Sequence, residues 1–284
     1  MNRPREDAPP AGMWLTVLVL VALLMVPLYV AFRLGWVADL GGRGNADAEW
    51  LRYQPAAGDH VVMGVGSSLL QAGIVRADLA ADSQTQWLLF NRGGANFQNF
   101  RAMLQSQWRV QPEVLIVQTD LFLKEDTSDR KVFLTSLRPM FMFAVRWVLG
   151  WSPPQSNDDL VFPAEPLGGL SERGRLLSDV YRSHPTQQVQ MIEWLKLQQT
   201  RGSQVVLLDI PRSPSVEKAI GAPLVRWRAD MQVIAKQLQV PLLHYGFPLN
   251  DADFYDGSHM GPSGRKVHTR WLQQKIKELQ HESP

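Results

Sequence analysis

The segment "HVVMGVGSSLLQAGI", residues 60–74, decides what fold is expected of this chain. Its first half is a short apolar run that ends at Gly66, which is typical of a strand buried on both faces. Ser67 and Ser68 follow at once, and the apolar residues after them indicate a helix. A strand that passes directly into a helix predicts an α/β sheet, with both serines at the edge where such sheets bind ligands.

Four more apolar runs have the same character and predict further strands, at residues 87–91, 113–119, 203–210 and 240–245. Three sets of apolar residues with helical spacing lie between or after these strands: Phe97, Phe100, Leu104 and Trp108; Trp227, Met231, Ile234 and Leu238; Leu272, Ile276 and Leu279. Apolar residues at this spacing form the buried stripe of a helix. The alternation predicts an open α/β sandwich with a parallel sheet of about five strands.

The composition excludes several classes of function. The net charge of +2 gives no basic surface for nucleic acid, so we expect no nucleic-acid partner. The chain has no cysteine, which excludes disulfides, thiolate nucleophiles and cysteine-ligated metals. No spacing of His, Asp and Glu indicates a converging ligand set, and we therefore expect neither a metal nor another cofactor.

The N-terminal region predicts a membrane anchor at residues 14–36. No charged residue occurs from Ala8 to Phe32. Trp14 and Trp36 bracket roughly 33 Å of helix, which matches a hydrocarbon core of about 30 Å with aromatic side chains at both interfaces. The alternative is a cleaved signal peptide, but its apolar region would be shorter and would end at a small-residue cleavage site.

The chain is therefore divided into four parts. Residues 1–13 form a cytoplasmic tail, 14–36 a retained transmembrane signal-anchor helix, 37–58 a linker rich in Gly, Ala and Asp, and 59–284 one globular domain.

An insertion at about 121–185 interrupts the alternation of strands and helices in this domain. It is rich in aromatic residues and Met, with Arg138 and Arg146 among them. One interpretation is an inserted helix and a surface loop that partly cover the core. The other is a lid, a membrane-surface helix or a docking face for a membrane partner.

A second polar stretch, "DFYDGSHMGPSG" at residues 253–264, contains candidate catalytic residues. A serine nucleophile needs a base to remove its proton and a carboxylate to orient that base. Asp256 and His259 could supply both roles from one short loop. The candidate nucleophile is Ser68 or Ser67, beside helix N–H groups that suit an oxyanion, although either serine could simply cap the helix.

The loop after the second predicted strand reads "NRGGANFQN", residues 91–99. Glycine allows the backbone to approach a ligand closely and leaves a backbone N–H free to point at it. Gly93 and Gly94 are therefore candidates for binding a substrate oxygen.

Together and in this order, these segments resemble the SGNH, or GDSL-like, hydrolase superfamily. The resemblance implies a flavodoxin-like three-layer sandwich and makes Ser68 the nucleophile, because Gly66, Ser67 and Ser68 match the Gly-Asp-Ser block. It makes Asp256 and His259 the other triad members. The backbone N–H groups of Ser68 and Gly94, with Gly93 as the alternative, would bind the oxyanion.

One family block departs from the pattern. The family carries an Asn after the third strand, whose amide completes the oxyanion hole, but this chain reads "VQTDLF" at residues 117–122. Thr119 falls at the Asn position, with Gln118 as the alternative donor. Losing one oxyanion donor costs a factor of about 10²–10³ in rate, so we expect a hole that is weaker, differently built, or completed when a partner binds.

The resemblance extends to membrane-anchored members with an extracytoplasmic domain. It implies transfer of an acetyl or similar acyl group to or from an envelope or exported polysaccharide, through an acyl-Ser68 intermediate and with a membrane-bound O-acyltransferase as partner. The domain would lie in the periplasm, anchored by residues 14–36 in the inner membrane. The alternatives are a free-standing esterase or lipase-like hydrolase that acts on an acyl ester, and a non-catalytic scaffold or glycan-binding protein.

Overall fold

The computed structural model describes residues 60–80, 85–91, 111–123, 169–183 and 188–282, together with Val19 and Leu23. The strands are β1 (His60–Gly66), β2 (Thr85–Asn91), β3 (Val114–Gln118), β4 (Gln204–Asp209) and β5 (Leu242–His244). The helices are α1 (Ser68–Gly73), α2 (Arg76–Ala80), α3 (Gly169–Ser183), α4 (Gln188–Thr200), α5 (Pro214–Ile220), α6 (Ala222–Leu238) and α7 (Pro262–Glu282).

The strands form one parallel sheet with the order β2-β1-β3-β4-β5. This is the order of flavodoxin-like sheets, in which ligands bind beyond the carboxyl ends of the strands where the order reverses, here between β1 and β3. The predicted parallel sheet of about five strands is confirmed. Because β1 lies between β2 and β3, the carboxyl ends of these three strands lie side by side at one edge of the sheet.

The observed strands differ from the predicted ones only at their ends, by roughly one or two residues. Thr119 and Ile210 follow β3 and β4, and both are buried although they lie outside the strands. Burial therefore continues past the last paired residue, and hydrophobicity alone does not mark where a strand ends.

Helices cover both faces of the sheet. On one face, Met63 and Val65 of β1 pack in a cluster with residues of α3, α4 and α6. On the other face, Val62 packs with residues of α1, α2 and α7. Successive residues of β1 are thus buried in opposite layers, which explains why the strand is continuously apolar. The predicted three-layer sandwich is confirmed.

The helices α6 and α7 agree with the predicted helical spacing. The four predicted residues of α6 are buried, as are Leu272 and Ile276 of α7. The helix α7 begins at Pro262, a residue that suits the first turn because it lacks an N–H. The third predicted set, at residues 97–108, lies outside the described residues.

The helices α3 and α4 are not among the predicted sets of helical residues. In α4 the apolar residues are nearly consecutive, so they show no clear helical period. Of the predicted insertion at 121–185, the structure describes residues 121–123 and 169–183. Leu121, Phe122 and Tyr181 are buried in the core, so these parts belong to the body of the domain. The rest of the insertion lies outside the described residues.

The predicted tail, anchor and linker, residues 1–58, also lie outside the described residues apart from two positions. Val19 and Leu23 are helical and exposed. Among the residues that the structure describes, no helix has both the length and the apolar character needed to cross a membrane.

A buried histidine connects α7 to the end of α1. Nδ1 of His268 lies 2.8 Å from the carbonyl oxygen of Gly73, and its ring packs against Tyr245 and Trp271. In the described part of the chain Nε2 has no hydrogen-bond partner. Burial lowers the pKa of His268 to about 4, although the hydrogen bond to Gly73 opposes this shift. The ring is therefore neutral at physiological pH, and Nδ1–H donates to Gly73.

Acidification should destabilise the fold through His268. Above pH 6.5 the residue is neutral in both states and contributes nothing to the pH dependence. Between pH 6.5 and pH 4 the unfolded chain binds a proton that the folded protein does not, which costs about 2–3 kcal/mol by pH 4.5. Urea unfolding at pH 7 and pH 4.5 measures this loss, and His268→Gln, which keeps a donor for Gly73, should reduce it by that amount. An equal loss in both proteins would contradict this assignment.

Candidate active site

The two serines after β1 have different positions in the structure. Ser67 is the N-cap of α1: its backbone is extended, and its Oγ accepts a hydrogen bond from the N–H of Leu69 at 3.2 Å. Ser68 is the first helical residue, and its Oγ lies 2.9 Å from Nε2 of His259. The capping role therefore belongs to Ser67, and Ser68 faces the histidine.

The structure brings together Ser68, His259 and Asp256, three residues that the sequence singles out. Besides the contact between Ser68 and His259, Nδ1 of His259 lies 2.8 Å from Oδ2 of Asp256. With an ionised carboxylate, Nδ1–H donates to Asp256, and Nε2 is left to accept the proton of the serine hydroxyl. This is the geometry by which a histidine acts as a general base on a serine.

A tight turn holds Asp256 and His259. Oδ1 of Asp256 accepts hydrogen bonds from the backbone N–H groups of Ser258 at 3.0 Å and His259 at 2.8 Å. Gly257 adopts φ +76°, and a Cβ there would lie 2.5 Å from Cγ2 of Val216. A side chain at this position would be strained and would clash, so the turn requires glycine.

The turn also keeps the side chain of Asp256 ionised. Burial raises the pKa of Asp256, but hydrogen bonds from the side chain and backbone of His259, and from the backbone of Ser258, outweigh it and lower the pKa to about 2. The group is therefore ionised at neutral pH, as a carboxylate that orients a histidine must be. Asp256 and His259 are nearly enclosed, whereas Ser68 is partly exposed and accessible to a substrate.

Arg173 of α3 lies beside the triad, and nothing in the sequence points to it. Its guanidinium approaches Asp256 Oδ2 to 3.8 Å, and its Nε lies 3.4 Å from Oγ of Ser258. The residue is placed there by the packing of α3 on the domain, which no local motif indicates.

A buried network positions the turn that carries the serines. Oε1 of Gln118 accepts hydrogen bonds from the N–H of Ser67 at 2.7 Å and from its hydroxyl at 3.1 Å. Nε2 of Gln118 donates to Asp120 at 3.0 Å. Asp120 also accepts hydrogen bonds from Arg212 and from the hydroxyl of Tyr181, both at 2.9 Å. The side chain of Gln118, an alternative oxyanion donor from the sequence, is thus bonded to Ser67 and Asp120.

Gly66 allows this arrangement. A Cβ at Gly66 would lie 2.6 Å from Oε1 of Gln118 and 2.5 Å from Cβ of Leu70. Any side chain there would push apart the end of β3 and the helix that begins with Ser68. The glycine that matches the Gly-Asp-Ser block is therefore required by close packing.

The other predicted oxyanion donors have not been placed beside Ser68. Thr119 is buried at the start of a 3-10 turn, Thr119–Phe122. Gly93 and Gly94 lie outside the described residues. The roles of these three residues in binding an oxyanion stay predictions.

A separate charged cluster lies at the carboxyl ends of β4 and β5. Asp209 is within 2.8 Å of Nδ1 of His244 and 2.7 Å of Nε of Arg228. Burial raises the pKa of Asp209, but the bonds from these two partners outweigh it and lower the pKa. The ring of His244 is half-exposed and paired with Asp209. Among the described residues, no group of three or more His, Asp and Glu has the geometry of a metal site.

Comparisons with known proteins give similar structures only. No protein-family model matches the chain, and no curated protein matches it. A candidate acylhydrolase from Bacteroides fragilis is 13% identical, with a TM-score of 0.47 over 85% of this chain and 97% of that one. A GDSL-like lipase from Bacteroides thetaiotaomicron is 12% identical, with a TM-score of 0.45 over 84% and 99%.

A lipase/acylhydrolase from Enterococcus faecalis is also similar, at 11% identity and a TM-score of 0.40 over 77% of this chain and 96% of that one. At such identities and scores a structural likeness carries no conclusion about activity. The contacts around Ser68 must support any assignment of function by themselves.

Proposed function

We propose that the protein is a serine-dependent enzyme that acts on acyl esters through a covalent acyl-Ser68 intermediate. The observation that carries this proposal is the continuous chain of hydrogen bonds from Ser68 through His259 to Asp256, at 2.9 and 2.8 Å. A serine hydroxyl is a weak nucleophile by itself and is activated by an adjacent, oriented base. The partly exposed serine and the enclosed acid–base pair suit that role.

In the first half-reaction, Oγ of Ser68 bonds to the carbonyl carbon of the ester, and its proton passes to Nε2 of His259. The π electrons move to the carbonyl oxygen, which becomes an oxyanion. When this intermediate collapses, the bond to the alcohol breaks, and the leaving oxygen takes the proton from His259. The product of this half-reaction is acyl-Ser68.

In the second half-reaction, water or a sugar hydroxyl gives its proton to His259 and attacks the acyl carbon. The bond to Ser68 then breaks, and the serine oxygen recovers a proton from His259. Asp256 stays ionised throughout and stabilises the imidazolium formed in each half. Water as acceptor gives hydrolysis, and a sugar hydroxyl gives transfer.

Backbone N–H groups at the start of α1 suit the oxyanion. The first N–H groups of a helix have no partner within the helix, and they lie at the positive end of its dipole. Ser68 occupies the first helical position, so we propose its N–H as one oxyanion donor. Gly94 and Thr119 remain proposed donors on the resemblance of their segments to the family blocks.

The proposed natural reaction is transfer of an acetyl or similar group to or from an envelope or exported polysaccharide. Its support is the resemblance of the chain to membrane-anchored SGNH proteins and the apolar segment at residues 14–36. On this proposal the domain lies in the periplasm, anchored in the inner membrane, and a membrane-bound O-acyltransferase is the partner.

The test is genetic complementation in the source organism. A deletion strain receives the full chain as wild type, Ser68→Ala or His259→Ala, and NMR measures the O-acetyl content of its envelope and exported glycans. We expect the deletion to change this content and only the wild type to reverse the change. Restoration by Ser68→Ala would contradict the proposal. A glycan unchanged by the deletion, with ester turnover by the purified chain, would favour a free-standing esterase.

A further inference from the structure

Asn91 is the last residue of β2 and carries a side-chain amide. Its Nδ2 is buried and has no hydrogen-bond partner among the described residues. A buried amide that has lost water without gaining a partner carries a free-energy cost. Most such groups in folded proteins are satisfied, and an exception calls for a reason such as a catalytic role.

Strand pairing places Asn91 beside the catalytic turn. The parallel register aligns Asn91 of β2 with Gly66 of β1, and the chain continues from Gly66 into Ser67 and Ser68. Asn91 thus lies at the level where β1 ends and the helix of the nucleophile begins. This is also the edge at which a flavodoxin-like sheet binds ligands.

The alternation of side chains places Asn91 on the face covered by α1. Leu89, two residues earlier, shares this face. Leu89 belongs to the same core cluster as Leu70 of α1, and a Cβ built at Gly64 would lie 2.8 Å from Cδ2 of Leu89. The side chain of Asn91 is therefore on the side of the sheet where the first turn of α1 lies.

Two side-chain amides flank Gly66 on the neighbouring strands. Only the amide of Gln118 makes hydrogen bonds through both its oxygen and its nitrogen to described residues. Gln118 of β3 contacts Ser67 through its oxygen and donates from its nitrogen to Asp120. Nδ2 of Asn91 donates to no described residue. Because Gly66 has no side chain, Gln118 and Leu70 pack directly against the end of β1.

We propose that Nδ2 of Asn91 donates a hydrogen bond to the oxyanion formed when Ser68 attacks an ester. This inference rests on the proposed function. It assigns to the end of β2 the side-chain amide that the family carries after β3 and that this chain lacks there. Together with the N–H of Ser68, Asn91 gives the oxyanion a backbone donor and an amide donor. The buried amide is then satisfied in the transition state rather than in the free enzyme.

A catalytic role and a structural role predict different results. A donor that acts on the oxyanion lowers kcat by about 10²–10³-fold when removed and changes KM little. Because Nδ2 has no partner among the described residues, its removal should leave the free energy of unfolding unchanged or raise it. A structural role would lower the free energy of unfolding in each variant.

The experiment compares Asn91→Ala and Asn91→Leu, which keeps the volume but not the donor, with wild type in the detergent-solubilised full chain. The measurements are kcat and KM for a p-nitrophenyl ester, the rate of labelling by a fluorophosphonate, and urea unfolding. We expect kcat and the labelling rate to fall about 10²–10³-fold in both variants, with stability retained. Gln86→Ala, which removes an amide near the other end of β2, is the control and should react as wild type does.

Unchanged rates in both Asn91 variants would overturn the assignment, as would loss of folding in both. A loss of rate in Thr119→Val without one in the Asn91 variants would move the role to Thr119. A wild-type chain that neither turns over esters nor reacts with the probe would instead contradict the proposed function itself.

Discussion

Replacing Ser68 with alanine should lower kcat for an acetyl ester by roughly 10⁴-fold or more, because no acyl-enzyme can form. The substitution removes one hydroxyl that contacts His259, so the protein should fold as before. The measurement is ester turnover by the purified full chain, with urea unfolding to verify stability.

The matched control is Ser67→Ala, one residue earlier in the same turn. Ser67 caps α1 and bonds to Gln118, so its loss should cost about 0.5–2 kcal/mol of stability. Most of the activity should remain, because the hydroxyl of Ser67 does not contact His259 in this structure. An inactive Ser67→Ala beside an active Ser68→Ala would contradict the assignment of the nucleophile.

Asp256→Asn should lower kcat by about 10⁴-fold while leaving the turn intact. The asparagine oxygen can still accept from the backbone N–H groups of Ser258 and His259. Its NH₂ group, however, would donate to Nδ1 of His259 and leave the proton on Nε2, which can then no longer accept from Ser68. Steady-state kinetics measure the loss.

For Asp256→Asn, KM and the remaining turnover are both informative. KM should change little, because Asp256 acts on His259 and not on the substrate. Near-wild-type turnover by Asp256→Asn would show that the carboxylate does not orient the base, and the triad interpretation would fail.

The sheet and the contacts among Ser68, His259 and Asp256 could be predicted because their signals are local. A strand buried on both faces is continuously apolar, and β1 shows this pattern just before its serines. The turn that holds Asp256 and His259 is also short, with the glycine that its backbone requires between them. Parallel strands then bring such segments to one edge of the sheet.

The division of roles between the serines could not be predicted from the residue pattern alone, because either residue can cap a helix, and only the family resemblance favours Ser68 as the nucleophile. It depends on where α1 begins, and that is fixed by the bond from Ser67 to Gln118 on a neighbouring strand. The position of Arg173 and the pairing of Asp120 with Arg212 could not be predicted from the sequence for a related reason. These contacts join residues far apart in the chain, and that of Arg173 also depends on how α3 packs.

Asn91 shows the limit of local motifs most clearly. The segment that contains it points to the glycines after it, since glycine is the recognisable feature of that block. The importance of Asn91 comes from its register with Gly66 and from its Nδ2, which has no hydrogen-bond partner in the described part of the chain. Neither property can be read from the order of residues.

Mass spectrometry of the full chain after reaction with a fluorophosphonate tests the central claim most directly, because this reagent bonds only to an activated serine. The account predicts one phosphonyl group on the peptide that contains Ser67 and Ser68, with fragmentation placing it on Ser68. Ser68→Ala should take up none. No adduct on the wild type, or an adduct on another serine, would contradict the account.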